Sequence, residues 1–420
     1  MFKEKLKKII PEFFLDYYHF LLAFSAALFY WFPSRKLKVI GVTGTNGKST
    51  TISLLFDVLK QAGLKTAYFS SVKSIVGERE TTNNLRMTMP GPFRLQRFLK
   101  KAAAEKHQYA IIEVTSEGIK QHRHRFIDFY AAIFTNLSPE HIEAHQGFAN
   151  YRSAKLELFK AAKEKHIINI DDENSSYFWN IPAKEKIGYS LIGKSDKPLV
   201  LMAERIDSID KGIAFKVKGM VFSVKLLGDF NIYNCLAAIA FAFSEGVSLE
   251  ICRQALVKST FVPGRMEEII SQPFQIVIDY AFTPNALEKV YQTLKKDGAG
   301  LICVLGSCGG GRDKWKRPVL GKLAAQYCRR VIVTNEDPYD EDPEEIIDQV
   351  LAGTDNKGEK MTDRREAINL ALRSAKPGET VVITGKGCEP SICLAGGKRI
   401  DWSDKATATE EFEKLTGTKV

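Results

Sequence analysis

Paired cysteines, internal repeats, low-complexity tracts and arginine-rich strips are all missing from this chain. Its seven cysteines (235, 252, 303, 308, 328, 388 and 393) are odd in number and form no Cys-x-x-Cys pair. That spacing excludes a zinc finger or ribbon and gives no disulfide framework, so a reducing, cytoplasmic setting is expected. No basic strip is interleaved with aromatics, so nucleic acid is not expected as a partner. One long apolar run exists, Phe13 to Phe32, but no small-residue cleavage site follows it, so it is not a secretory signal. What is present is a chain of 420 residues, 45% hydrophobic and 26% charged, with net charge +10. That is enough for two or three full domains. The positive balance suits anionic partners such as nucleotides, nucleotide-sugars or a membrane surface.

The apolar run admits three readings. Asp16 and His19 interrupt it, Tyr17, Tyr18, Tyr30 and Trp31 sit near its ends, and lysines 3, 5, 7 and 8 and residues Arg35, Lys36 and Lys38 flank it. A helix packed on the next domain or on a second subunit is one reading. Attachment to the inner face of a membrane through residues 13–32 is the second, and a true span is the third.

The most informative stretch is Val39-Ile-Gly-Val-Thr-Gly-Thr-Asn-Gly-Lys-Ser-Thr-Thr51. An apolar strand feeds a glycine loop, and a helix opens at Lys48, Ser49 and Thr50. Backbone N–H groups of Gly44, Thr45, Asn46 and Gly47 and of the helix start can face phosphate oxygens. Lys48 then reaches the β/γ-phosphates, and the Ser49 hydroxyl is a Mg²⁺ ligand. A plain glycine turn before an ordinary helix would not bring strand, glycines, Lys-Ser and helix into this order.

From residue 36 onward, short β-rich runs alternate with helical ones. Strands are expected at 37–42, 110–114, 131–135, 166–170, 275–279, 300–306, 330–334 and 380–384, with helices at 92–105, 151–163, 231–244 and 285–296. That alternation predicts an α/β chain with mainly parallel sheets. Residues 185–227 are expected to form an antiparallel patch on the first domain's edge. Val262-Pro-Gly-Arg265 is hinge-like, and a fresh βα series with a glycine-rich turn (306–313) follows it. The expected organisation is therefore an apolar helical segment (1–35), a central ATP-binding domain (36–262) and a Rossmann-like α/β domain (263–420).

Three further residues carry chemistry. Glu113, in Ile111-Ile-Glu-Val-Thr-Ser-Glu117, stands at the C-terminal end of a buried strand, where it could reach a loop-bound Mg²⁺. His141 follows Phe134-Thr-Asn-Leu-Ser-Pro-Glu140, and Lys155 lies mid-helix among Ala154, Leu156 and Leu158. Alone, each has an ordinary alternative: a solvated strand end, or a surface His or Lys.

Together these motifs resemble the Mur ligase family, the ATP-dependent amide ligases of peptidoglycan precursor synthesis, and most nearly its tripeptide synthetases. The resemblance runs over residues 37–404. Thr43–Thr50 is similar to the family's phosphate loop and Glu113 to its Mg²⁺-binding Glu. His141 matches the His of an Asn-Leu-x-x-Asp-His stretch, with Glu140 in place of the Asp. Lys155 matches the lysine that CO₂ carbamylates. Asn231 and Asn234, in Gly228-Asp-Phe-Asn-Ile-Tyr-Asn234, match residues that face the nucleotide. Arg265 matches an ATP-phosphate contact, and Asp279 a ribose contact in a stretch where Phe282 replaces His. For the substrates, the resemblance implies Thr88 (in Thr-Met-Pro90), Ser116, Arg123, Asp337, Gly385 and Glu389, the last two in Gly385-Lys-Gly-Cys-Glu389.

It also implies the reaction. ATP would convert the carboxylate of a muramyl-peptide donor into an acyl phosphate, which the amine of a free amino acid attacks. The cofactors implied are ATP and Mg²⁺, the metal held by Ser49, Glu113, His141 and Lys155 as a carbamate. Two departures stand out. The family's N-terminal uridine-nucleotide-binding domain is expected to be lacking, so donor binding would rest on other surfaces or on a lipid-linked donor. The Asp-Asn-Pro-Arg motif of diaminopimelate-adding enzymes is replaced by Glu336-Asp-Pro-Tyr339, which removes an arginine for a second carboxylate. A folylpolyglutamate-synthase-like ligase, a P-loop kinase and a non-catalytic nucleotide-binding scaffold are the competing readings.

Overall fold

A computed structural model describes residues 11–419 except 84–86, 194–196, 207–211 and 296–297. The described residues divide into two compact units, one of residues up to 139 and 147–260, the other of residues 140–146 and 261 onward. Only the described residues of each are considered below.

The first unit opens with α1 (Glu12–Phe29) and a 3-10 turn (Pro33–Lys36). Its sheet strands are β1 (Lys38–Thr43), β2 (Thr66–Phe69), β3 (Lys73–Val76), β4 (Arg79–Thr82), β5 (Tyr109–Glu113), β6 (Phe129–Phe134), β7 (Lys165–Asn169), β8 (Glu185–Ser190), β9 (Val200–Ile206), β10 (Ile213–Val217) and β11 (Met220–Val224). They form one eleven-stranded sheet ordered β11-β10-β9-β8-β7-β6-β1-β5-β2-β3-β4. The pairs from β2 through β9 are parallel, and the β2–β3, β3–β4, β9–β10 and β10–β11 pairs are antiparallel. The expected antiparallel patch over 185–227 is therefore corrected in part. β8 and β9 continue the parallel sheet, and only β10 and β11 turn back.

Helices cover both faces: α2 (Lys48–Gln61), α3 (Pro92–Ala104), α4 (Ser116–Lys120), and, after α5 (Ile142–His145) of the other unit, α6 (Phe148–Ala161), α7 (Ser175–Trp179), α8 (Phe230–Ser244) and α9 (Leu249–Lys258). The central strands are apolar between their ends, β1 burying Val39 to Thr43 and β5 all five residues. Strands covered on two faces need such unbroken runs. The α8 run Ile232 to Ala242 packs against α2 and seals one face.

In the second unit, β12 (Glu267–Ile270), β13 (Gln275–Ile278), β14 (Leu301–Leu305), β15 (Arg330–Val333), β16 (Gly358–Lys360) and β17 (Thr380–Ile383) form a six-stranded sheet ordered β12-β13-β17-β14-β15-β16. Only β12 runs antiparallel. The helices are α10 (Pro284–Leu294), α11 (Lys316–Tyr327), α12 (Pro343–Leu351), α13 (Arg364–Ser374) and α14 (Asp404–Thr416), and β18 (Ser391–Cys393) pairs with β19 (Arg399–Asp401). Parallel strands with helical crossovers make this a Rossmann-like layer sandwich. The fold class is thus the expected one, a P-loop sheet followed by a Rossmann-like unit.

Candidate active site

Parallel strands put their C-terminal ends on one edge, and ligands of such sheets bind there. β1 ends at Thr43, and the loop 44–47 carries the chain into α2. Gly44 has φ 151°, and a Cβ there would lie 1.9 Å from Thr135 Oγ1; Gly47 has φ 84°, and a Cβ would lie 2.3 Å from Asn234 Oδ1. Both positions therefore require glycine. Gly47 is the N-cap of α2 and offers no side chain to the first-turn N–H groups. Those donors stay available for an anion, favoured further by the helix dipole.

The loop is held from the neighbouring strand. Asn136 Oδ1 accepts from Asn46 N at 3.0 Å, and Thr135 Oγ1 donates to Asn46 O at 2.7 Å. Thr45 Oγ1 donates to Ser138 O at 3.1 Å and meets the Tyr151 hydroxyl at 3.1 Å. None of Thr135, Asn136 or Tyr151 was singled out from sequence. Their signal was present, because Thr-Asn follows a strand end and Tyr151 lies four residues before Lys155 on one helix face.

Lys48 Nζ donates to Gly44 O at 3.1 Å and Thr45 O at 2.8 Å, and lies 3.9 Å from Glu113 Oε1. Lys155, buried on α6, donates to the same Gly44 carbonyl at 2.8 Å, with its ammonium 4.6 Å from the Tyr151 ring centre. Two cations thus converge on one loop carbonyl. Ser49 Oγ donates to Glu113 Oε2 at 3.1 Å and meets Ser71 Oγ at 2.8 Å, while Ser71 N donates to Glu113 Oε2 at 2.9 Å. A buried carboxylate and two hydroxyls make a hard oxygen set of the kind Mg²⁺ takes. Among the described residues no group of three or more His, Cys, Asp or Glu could hold a metal by itself. A Mg²⁺ here would share Ser49 and Glu113 with water and phosphate oxygens, as Mg²⁺ commonly does.

Thr50 is buried in the first turn of α2. Asn234 Oδ1 accepts from Thr51 Oγ1 at 3.3 Å and stands beside Gly47, and Asn234 Nδ2 donates to Asn231 Oδ1 at 2.8 Å. Arg123 donates to Met89 O and Gln121 Oε1, which ties it to the Thr88-Met-Pro90 loop. Burial pushes the Arg123 guanidinium down, and Glu117 pulls it back up. Ser116, buried, begins α4, whose N-cap Thr115 accepts from Gly118 N. Ser116 thus opens α4 and Arg123 follows its C-terminal end, where its backbone N–H donates to Gly118 O at 2.9 Å.

The remaining candidates lie in the second unit. His141 belongs to residues 140–146 and caps the short α5 with φ 55°. Its neighbour Glu140 forms a buried ion pair with Lys316 at 2.9 Å. Burial raises the Glu140 carboxyl, against the pull of Lys316. Ile142 N and Glu143 N donate to Asp313 at 3.1 and 3.0 Å. Asp279 accepts from Met266 N and Ala281 N at 2.6 Å; burial raises its carboxyl, while Arg265 lowers it. Arg265 stacks on Tyr280 at 4.3 Å.

Asp337, Gly385 and Glu389 meet around Lys386. The Lys386 ammonium, fully buried, donates to Asp337 Oδ2 at 2.9 Å and Glu389 Oε2 at 2.6 Å. Tyr280 OH adds a bond to Glu389 Oε1 at 3.0 Å, and Cys393 N one to Asp337 Oδ1 at 2.7 Å. Sequence reasoning named the two acids and missed the lysine that joins them, although Gly-Lys-Gly was in view. Tyr339 is half-buried with φ 54°, and a Cβ on Gly310 would lie 2.6 Å from its ring.

Two family models match this chain: the Mur ligase middle domain over residues 42–242 and the Mur ligase glutamate ligase domain over residues 264–387. A UDP-N-acetylmuramoyl-L-alanyl-D-glutamate–2,6-diaminopimelate ligase of Syntrophomonas wolfei is 38% identical over 400 residues, covering 93% of this chain and 81% of that protein. A UDP-N-acetylmuramyl-tripeptide synthetase of Roseiflexus is 34% identical, covering 94% and 82%. A solved diaminopimelate ligase structure superposes with a TM-score of 0.61 at 30% identity, over 91% of this chain and 79% of that one. A folylpolyglutamate synthase of Mycobacterium tuberculosis, at 18% identity and a TM-score of 0.67, shares the fold. The chain belongs to the Mur ligase family, the ATP-dependent amide ligases of peptidoglycan precursor synthesis.

Proposed function

We propose that this ligase joins the amine of a free amino acid to the carboxylate of a muramyl dipeptide, working in the cytoplasm with ATP and Mg²⁺. The observation that supports it most is the convergence of Lys48 and Lys155 on the Gly44 carbonyl beside the Ser49–Glu113 pair. A donor carboxylate and a triphosphate are both anions, so their approach needs fixed positive charge. Lys48 lies against the γ-phosphoryl group as it moves to the donor carboxylate oxygen. ADP leaves, and the acyl phosphate carries an activated carbonyl. The acceptor amine attacks that carbon, phosphate departs with the former carboxylate oxygen, and the ammonium proton is lost to give the amide. Mg²⁺, held by Ser49 and Glu113, would supply neutralising charge to the phosphates. Carbamylation converts the buried Lys155 cation into an oxygen-donor anion. Arg123, beside Met89, would orient the donor, while Arg265, Asn231, Asn234 and Asp279 would serve ATP.

We place the acceptor at Asp337, Gly385 and Glu389, and infer an amino acid without a second carboxylate, such as lysine. Tyr339 stands where the arginine of diaminopimelate enzymes would be, so no bidentate partner is supplied there. The neighbouring acids do structural work: Asp340 accepts from Gly396 N, Glu341 from Arg317, and Asp342 caps α12. We further propose that the uridine-binding role of the family's N-terminal domain is not carried by residues 11–36, which form one helix and a 3-10 turn. Phosphate release over a matrix of uridine-linked and lipid-linked muramyl dipeptides against free amino acids tests the reading. Turnover that needs both a donor and an amino acid is expected. ADP formed with no amino acid dependence would indicate a kinase.

A further inference from the structure

Helix α1 turns the usual logic of a packed helix inside out. Its small residues Ala23, Ala26 and Ala27 are buried, while its large apolar ones face outward. Phe13 is 75% exposed, Phe29 67% and Trp31, just beyond the helix, 78%. Phe14, Tyr17, Tyr18, Leu21 and Leu28 are exposed with them. The helix is docked, because it packs on α3, Phe20 and Phe24 each meet Phe126 at 5.3 Å, and Asp16 pairs with His122 at 2.8 Å. A docked helix that leaves this many large apolar side chains in water expects a second apolar environment.

Beside it, α3 supplies charge of one sign. Arg94, Arg97, Lys100 and Lys101 are exposed, and no acidic residue lies within the helix. Lys36 adds another exposed cation after α1. We infer that α1 and α3 together form a docking plate for an anionic lipid bilayer, with α1 lying in the plane of the interface. Aromatic rings would enter the headgroup boundary and the α3 cations would meet lipid phosphates. The helix does not cross: it has 18 residues, one side is committed to the protein, and no described helix is long and apolar enough to span a membrane. A second copy of this chain fits less well. A two-fold contact sets a patch against itself, so the α3 cations would face their own kind.

Flotation of the full chain with vesicles, independent of any assay of ligation, tests the inference. The chain is expected to float with mixed phosphatidylcholine–phosphatidylglycerol vesicles, and about tenfold less with pure phosphatidylcholine. The combined variant F14S/Y17S/L21S, its fold checked by circular dichroism and retained ATP turnover, is expected to lose recovery on both by about tenfold. The variant R94E/R97E/K100E/K101E is expected to lose the preference for the anionic vesicles. Absence of the wild-type chain from both vesicle fractions would overturn the inference. So would a wild-type dimer in sedimentation equilibrium that F14S/Y17S/L21S converts to monomer.

Discussion

The phosphate loop of the first unit and the Lys386 cluster of the second are built on opposite electrostatic plans. In the first unit, Lys48 and Lys155 donate to loop carbonyls, and Lys48 lies 3.9 Å from Glu113, outside hydrogen-bond distance. In the second, Lys386 is already locked between Asp337 and Glu389 with no exposure to solvent. On the proposed reading, the first arrangement holds cations beside the phosphates. The second fixes the positions of acids and holds them rigid. Burying Lys386 is tolerable because carboxylates pair with it, so loss of one weakens that pairing and loss of both would leave an unpaired buried charge. The difference teaches that substitution at the loop should mainly cost rate, and substitution at the Lys386 cluster should cost structure as well.

The largest effect that can break this comparison is at Lys48. Lys48→Ala should lower kcat by about a thousandfold or more while leaving thermal stability near wild type. A large loss of melting temperature instead would mean that Lys48 is structural like Lys386. Next comes Lys155→Ala, expected to reduce ligation by about a hundredfold or more, with formate or acetate restoring part of it by supplying the missing carbamate oxygens. Full activity of that variant without additive would remove the carbamate from the account.

Specificity gives a smaller effect. The wild type should prefer lysine over meso-diaminopimelate, and Tyr339→Arg should raise kcat/KM for diaminopimelate by about tenfold by restoring a bidentate partner. A wild-type preference for diaminopimelate would contradict the acceptor assignment.

The smallest effect is on acid stability and belongs to the first unit away from the loop. Burial alone would raise the Glu245 carboxyl, but hydrogen bonds from Lys165, Lys38, Tyr109 and Tyr130 outweigh it and hold it down at about 2. A carboxyl depressed in the folded state stabilises above its unfolded value near 4.5, and that contribution is lost as pH falls toward about 2. Glu245→Gln should therefore lower the melting temperature by a few degrees near neutrality and flatten its decline between those limits. An unchanged acid limb would show that other carboxylates dominate it.

Much of the first unit was legible because its information is local. The strand, glycines and Lys-Ser of 39–51 lie in one unbroken run, and Glu113 announces itself at the end of an apolar strand. Long-range pairing leaves no such trace. Nothing near Lys155 says that its ammonium reaches the carbonyl of Gly44, and nothing near Glu140 names Lys316 as its partner. The grouping of residues 140–146 with the second unit follows from such contacts, through Asp313 and Lys316. Strand β9 misled for another reason. The short strands and turns read over 185–227 suggested an antiparallel patch, yet β8 and β9 are parallel.

The central claim, activation of a donor carboxylate by ATP before the amine attacks, has one direct measurement. A muramyl dipeptide donor labelled with oxygen-18 in its reacting carboxylate is turned over with ATP and the accepted amino acid, and the released phosphate is analysed by mass. The account predicts that each phosphate carries one donor-derived oxygen, left behind when the acyl phosphate breaks. Unlabelled phosphate formed alongside amide product would contradict it.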